Sequence, residues 1–412
     1  MSPAPAIDAG RVVADLRELA KRTGDESGAQ RVCWTQAWRD ARAFLVELLD
    51  EIGLGHEIDE AGNLWARVEG GDRAALAVVV GSHVDSVPQG GWLDGSLGVM
   101  AALGVLRSWA EADQQPPRDL VLVDWADEEG ARFGRSLFGS SAFSGSLDVG
   151  SVRRLTDGDG VTLPDALLEN GVDLERIGEA STRREGLGAF LELHIEQGPV
   201  MEAEQTPVSA VAGCFGIERA MFIFSGQASH AGTTPMDRRR DAGLAAAAAA
   251  LEIERIPATY GGVATTGSLE LTPGIVTAIA GRARLSCDLR NAEAGPLEEM
   301  LEAARTAAGA AAKHRGCEVR EELIWRIAPT PFDPGVVEQA QAVVSELGGR
   351  AEPLVSGALH DAAEVASVIP AAMLFVPSIA GISHAREEDT PDADLERGIT
   401  ALALLAEHLL SG

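Results

Sequence analysis

The spacing of apolar residues changes along this chain, and the changes mark its elements. In "QAWRDARAFLVELL", Trp38, Ala41, Leu45 and Leu48 recur at steps of three and four, which predicts a helix with one buried face. "AALAVVVGSH" (74–83) and "DLVLVDWADEEG" (119–130) are instead continuous apolar runs that end in charged or polar residues. Between them lies the helix-like "SLGVMAALGVLRSWAEA". Buried strands alternating with helices are the pattern of βαβ units and a mainly parallel sheet, whose ligands gather beyond the carboxyl ends of its strands.

From about Ser209 the style changes. "RAMFIFSGQ", "TTGSLELTPG" and "GRARLSCDLRN" alternate as half-buried strands do, while "RRDAGLAAAAAALEIERI" and "PLEEMLEAARTAAGAAAKH" read as helices. After Ala328 the first pattern returns with "VVEQAQAVVSEL", "AAMLFVP" and "ADLERGITALALLAEHLL". The expected fold is therefore α/β: a mainly parallel sheet domain split into residues 1–208 and 328–412 around an inserted α+β domain at 209–327.

Composition narrows the function classes. A formal charge of −29 with no long basic segment excludes nucleic acid and anionic membrane surfaces as expected partners. Cys33, Cys214, Cys287 and Cys317 lack CxxC spacing, "MSPAPAIDAG" has no secretory pattern, and no apolar run approaches the ~20 residues of a membrane span. A cytoplasmic protein is expected. Lys21 and Lys313 are the only lysines, and neither lies in a P-loop.

Four predicted strand ends carry metal-type ligands. The first holds His83, Asp85 and, in a Gly-rich loop, Asp94; the second holds Glu128 and Glu129; the third is "LELHIEQGP" with His194; the fourth is "AGISHAREEDT" with His384. A loop histidine or a solvated acidic turn accounts for any one of these alone. Together, His83, Asp94, Glu129, His194 and His384 form an N/O donor set suited to zinc, manganese or cobalt. A carboxylate such as Asp85 can hold the second nitrogen of a ligating imidazole, and one of two adjacent glutamates can ligate while its neighbour acts as base. A pair of ions activating one water makes hydrolysis the natural reaction. No HExxH or GxSxG is present, and Ser356, His360 and Asp361 in "SGALHDA" are too close in sequence to imply a triad. In the insert, His230 in "GQASHAGTTPMDRRRDA" suits a mobile donor to a developing oxyanion, and Arg290 in "DLRN" suits a substrate carboxylate. A capped turn and a surface ion pair are the ordinary alternatives.

Taken in order, "GSHVDSVPQGGWLDGSLGV", "DEEGARFG", "LHIEQGP", "SHAGTTPMDRRRDA", "SGALHDA" and "GISHAREEDT" resemble the motifs of the M20 metallopeptidase superfamily, in its amidase and carbamoylase branch. That branch comprises N-carbamoyl-L-amino acid hydrolases, β-ureidopropionases and allantoate amidohydrolases. The resemblance implies two divalent ions per subunit bridged by Asp94, with His83 and His194 on one and Glu129 and His384 on the other. It implies Glu128 as general base, Asp85 orienting His83, and Gln197 and Arg290 contacting an amide or ureido acid. It also implies that His230 reaches a partner subunit's site in a homodimer joined through the insert, which acts as lid and dimerisation domain.

Three positions depart from the branch. Ile217 in "VAGCFGIER" stands where Gln is common, Thr277 in "PGIVTAIAG" where Asn is, and Leu359 in "SGALHDA" where Gly is. Each loses or shortens a polar group or narrows the pocket, which predicts a bulkier or less polar substrate than a simple carbamoyl amino acid. The competing reading is an M20 aminoacylase or dipeptidase, against which His194 argues, since those branches usually carry an acid there. Binding without turnover, or a nucleotide-binding Rossmann protein, fits less well: Glu128 is intact, and no GxGxxG follows a strand.

Overall fold

The computed structural model describes residues 4–112 and 114–412. The chain divides into two compact units, one running to Gly213 and resuming at Pro331–Gly412, the other formed by Cys214–Thr330.

The first unit is built on a nine-stranded sheet. Its centre is four parallel strands, β1 (Ala77–His83), β2 (Leu120–Trp125), β3 (Leu187–Ile195) and β4 (Ala371–Val376), in the spatial order β4-β3-β1-β2. β1, β2 and β4 are buried at every position, because helices cover both faces of a parallel sheet and leave no side for polar residues. Leu64–Val68 adds antiparallel to β2, and Ser209–Cys214 adds antiparallel to β4. Ser209 pairs with Phe375 in this sheet, so the strand expected to open the insert belongs to the large unit instead. Its apolar alternation cannot say which sheet it joins.

The helix α1 (Ser96–Glu111) follows the Asp94 loop and is buried on nearly all sides. It packs on the sheet beside the helix Asp392–Ser411 and beneath the helix Ala9–Thr23, so a single apolar stripe would not suffice. A side chain at Gly98 would stand 2.6 Å from the Leu193 carbonyl oxygen, so glycine lets α1 approach β3. At the far end of β2, Asp124 accepts Arg42 at 2.7 Å and the Val84 N–H at 2.9 Å. That buried pair fixes the exit of β1 beside β2.

In the second unit Gly216–Ser225 pairs antiparallel with Arg282–Asn291 along its whole length, and with Glu318–Ile327 on its other edge. The last strand has no clean alternation in "EVREELIWRI" and a register shift between Leu323 and Trp325, which hides it from a period-two reading. The helices Ala242–Ile253 and Ala294–His314 cover one face, packing Ala245, Ala246, Ala249, Ala304 and Ala308 against Phe222, Phe224 and Leu285. The alanine run is thus a close-packed helix surface. Leu269–Thr272, expected to be half-buried, is exposed at every position.

Candidate metal centre

The carboxyl ends of the parallel strands converge on Asp94. His83 closes β1, His194 lies one residue before the end of β3, Glu128 and Glu129 follow β2, and His384 lies in the turns after β4. Gly95, next to Asp94, has φ +61°, and a Cβ there would stand 2.4 Å from the His83 ring. Only glycine both turns the chain there and clears the imidazole.

The two oxygens of Asp94 face different partners. Oδ1 lies 3.1 Å from Nε2 of His194 and 3.6 Å from Nε2 of His83. Oδ2 lies 3.3 Å from Nε2 of His384, and that same nitrogen is 3.5 Å from Glu129 Oε2. His83, Asp94 and His194 therefore form one group of close donor atoms and Asp94, Glu129 and His384 a second, with Asp94 common to both.

The tautomers sharpen this. His83 Nδ1 lies 3.1 Å from the Asp85 carbonyl oxygen and His194 Nδ1 lies 2.9 Å from that of Ile195. Carbonyls only accept, so both Nδ1 atoms carry protons, and in each ring it is Nε2, the nitrogen left to take a cation or a second proton, that faces Asp94. His194 Nε2 also accepts the Gly95 N–H at 3.2 Å. A lone pair facing a carboxylate oxygen is repulsive unless a proton or a cation lies between them. Donors that share a tetrahedral ion at ~2.0–2.1 Å lie about 3.3 Å apart, which these spacings approach. The residues fit divalent ions in two adjoining positions.

The carboxylate of Asp85 is 3.6 Å from His83 Nδ1, farther than its own carbonyl. Its oxygens accept the N–H groups of Glu128 at 3.3 Å and Glu129 at 3.2 Å. Asp85 thus holds the histidine by its backbone and the acidic loop by its side chain. Burial, then the charges of Glu129, Asp361 and Asp85, push Glu128 well above the usual carboxylate range against the opposing pull of His83. Burial and Asp94 push Glu129 to about 7. The hydrogen bond to Asp94 raises His384 to about 9. Burial works against Asp94 ionising, but His194, His384 and His83 outweigh it and hold that carboxylate well below its ordinary value. A cluster in which acids gain protons and histidines keep them is short of positive charge.

Gln197, with φ 59°, donates Nε2 to Asp94 Oδ2 at 2.8 Å and to Ser383 Oγ at 3.3 Å. Leu359 is half-buried beside His360, whose ring lies 4.5 Å from that of His194. Within the second unit, Ser229–His230 pairs with Ala278–Ile279, and the Ala231 N–H donates to the Thr277 carbonyl at 2.9 Å, so His230 and Thr277 lie at one small two-stranded sheet. Ile217 pairs with Arg290 across the sheet. Ile217 is buried, and Arg290 donates to Asp288 at 2.8 Å. Sequence reasoning passed over four buried groups around the cluster: Arg31, Asp127, Glu192 and Glu388. Glu388, four residues beyond His384 in an acidic run, Asp127, heading "DEEG", and Glu192, two residues before His194 in "LELHIEQGP", lie inside the motifs, and Arg31 does not.

Fold and site together define an α/β protein with a histidine and carboxylate centre of metal-binding type at the carboxyl edge of a parallel sheet. The chain belongs to peptidase family M20/M25/M40, whose profile matches residues 79–408. It is 35% identical to an N-carbamoyl-L-amino acid amidohydrolase of Geobacillus stearothermophilus, over 97% of each chain. It is 32% identical to an allantoate amidohydrolase of Bacillus subtilis, over 93% of each. Among solved structures, a hydantoinase/carbamoylase family amidase from Burkholderia multivorans superposes with a TM-score of 0.91 at 33% identity, over 98% of each chain. Among the described residues no helix is long and apolar enough to cross a membrane.

Proposed function

We propose that this chain is a metal-dependent amidohydrolase that cleaves a linear C–N bond of an N-carbamoyl- or ureido-type small acid. The observation that carries the reading is the division of Asp94, one oxygen toward His194 and His83 and the other toward His384. Two divalent ions, zinc or else manganese or cobalt, would be held by His83, His194 and Asp94 on one side and by Asp94, Glu129 and His384 on the other. Bound there, such ions supply a water acidic enough to ionise near neutrality and polarise the substrate carbonyl. Glu128 takes the proton of the attacking water on its carboxylate and delivers it to the leaving nitrogen. Its buried surroundings raise its basicity to suit both tasks. Asp85 fixes the Glu128 backbone, so the base does not swing away.

The named activities of the relatives at 35% and 32% identity support the bond type. They differ in substrate, and the pocket positions are where this chain departs. Gln197, Arg290, Ile217, Thr277 and Leu359 contact the substrate, with Arg290 on its carboxylate and the three altered positions favouring a bulkier or less polar N-substituent. His230 completes the site of a partner subunit in a cytoplasmic homodimer joined through the unit Cys214–Thr330.

Metal analysis joined to amine-release assays on carbamoyl, formyl, acyl and ureido acids tests the reading. About two ions per chain are expected, with hydrolysis of at least one panel member and poor turnover of allantoate and simple N-carbamoyl-L-amino acids. Two bound ions with no hydrolysis of any member would reduce the protein to a metal binder. Efficient turnover of the simple carbamoyl acids would remove the altered-pocket reading.

A further inference from the structure

We propose that Glu388 is a positioning residue that sets the Glu129/His384 half of the metal centre, by tying the backbone of Asp94 to the turn that carries His384. This rests on the dinuclear reading above. Glu388 is 1% exposed, and its donors come from the two segments it joins. Oε1 accepts the N–H groups of Leu93 at 3.1 Å and Asp94 at 3.0 Å. Oε2 lies 2.8 Å from the Ser383 hydroxyl, which is also 3.1 Å from Asp94 Oδ2. The surrounding backbone is shaped to admit the carboxylate, since a Cβ at Gly91 would stand 2.0 Å from its Oε1. A buried carboxylate is tolerated where hydrogen bonds replace its water. The single Ser383 proton goes to Glu388 Oε2 or to Asp94 Oδ2, so the hydroxyl stands between the two carboxylates and keeps both beside the turn that carries His384.

The dependence is one-sided. His83 and His194 are oriented by the carbonyls of Asp85 and Ile195, which Glu388 does not touch. The side chain of His384 is 51% exposed, its backbone is left-handed with φ 54°, and no hydrogen bond from its ring to a carbonyl is found among the described residues. Its placement against Asp94 Oδ2 therefore falls to the tie through Ser383. Removing Glu388 loosens that half of the centre and leaves the His83/His194 half largely as it is.

The test is titration of the metal-free full chain with Zn²⁺ alone against a chromogenic chelator, for wild type, Glu388→Ala and Ser383→Ala, with Co²⁺ absorption spectra recorded at one and two equivalents. Wild type is expected to bind two ions. Glu388→Ala is expected to weaken one event about 10–100-fold, the loss usual when a ligand's hydrogen-bond partner is removed, and the other by less than about 3-fold. Its Co²⁺ spectrum should match wild type at one equivalent and diverge at two. Ser383→Ala, which keeps the charge, should weaken the same event, and it decides the matter if Glu388→Ala does not fold. Wild-type constants for both events, or equal weakening of both, would overturn the assignment. A wild-type chain that binds fewer than two ions would overturn the dinuclear reading itself.

Discussion

Trp34 donates its indole N–H to the Asp127 carboxylate at 2.9 Å, across 93 residues of sequence. Both residues hold left-handed backbone, with φ 63° and 58°, a conformation that costs free energy and survives only where its surroundings enforce it. Burial and then Asp85 raise Asp127, immediately before Glu128, to about 8. Trp34→Phe keeps the ring and deletes the donor. We expect a loss of about 1–3 kcal/mol in stability for the buried carboxyl left short of a partner. Thermal melts measure that loss. Because the Asp127 turn aims Glu128, kcat should fall more than KM rises, and an unchanged kcat would separate the turn from the chemistry.

Glu128→Gln preserves size and removes the base. Turnover should drop by roughly 10²–10⁴-fold while the metal content stays at two, because Glu128 belongs to neither donor group. A variant that loses an ion along with activity would make Glu128 a ligand instead.

His384→Ala removes one member of the Asp94, Glu129 and His384 group and none of the other. Metal analysis after dialysis should find about one ion where wild type holds about two. Loss of both ions would mean that the two positions do not fill independently.

The metal-free protein should become less stable as pH rises from about 4.5 to about 9. Glu129 titrates near 7 in the fold, against an ordinary carboxylate near 4.5, so the folded state binds more protons than the unfolded across that interval. His384 at about 9 extends the same sign upward from its ordinary 6.5. Stability is full below the unfolded values and is lost as pH passes the folded ones. Added Zn²⁺ should reverse the loss, since it replaces the missing protons as the source of positive charge. Melting temperatures across this range with and without metal check both halves, and a flat metal-free profile contradicts them.

That His83, Asp94, Glu129, His194 and His384 come together was legible because each lies at the end of a continuous apolar run or in the loop that follows it, and a parallel sheet brings such ends to one edge. The supporting groups were not. Glu388 and Arg31 are charged residues that look solvated in sequence and are buried because distant segments close over them: Glu388 meets Leu93 across 295 residues, and Arg31 meets Val84 and Ser96 across 53 and 65. The insert begins a few residues later than the expected 209 for a related reason: only pairing with Ala371–Val376 places Ser209–Cys214 in the large sheet. Asp85 carried a visible motif with His83, but sequence spacing cannot tell a carbonyl contact from a carboxylate one.

The helix Ala9–Thr23 packs against Asp392–Ser411, and Arg17 meets Asp392 at 2.6 Å. The first helix of the described fold therefore waits for the last. During translation, His83, Asp94, Glu128 and Glu129 leave the ribosome long before His384, with the whole of Cys214–Thr330 emerging in between. A nascent chain passes through a stage in which its acids are assembled and their final histidine is still unmade. The His83, Asp94 and His194 group is therefore complete in sequence long before the Asp94, Glu129 and His384 group, and the second donor position can form only once nearly all of the chain has been made.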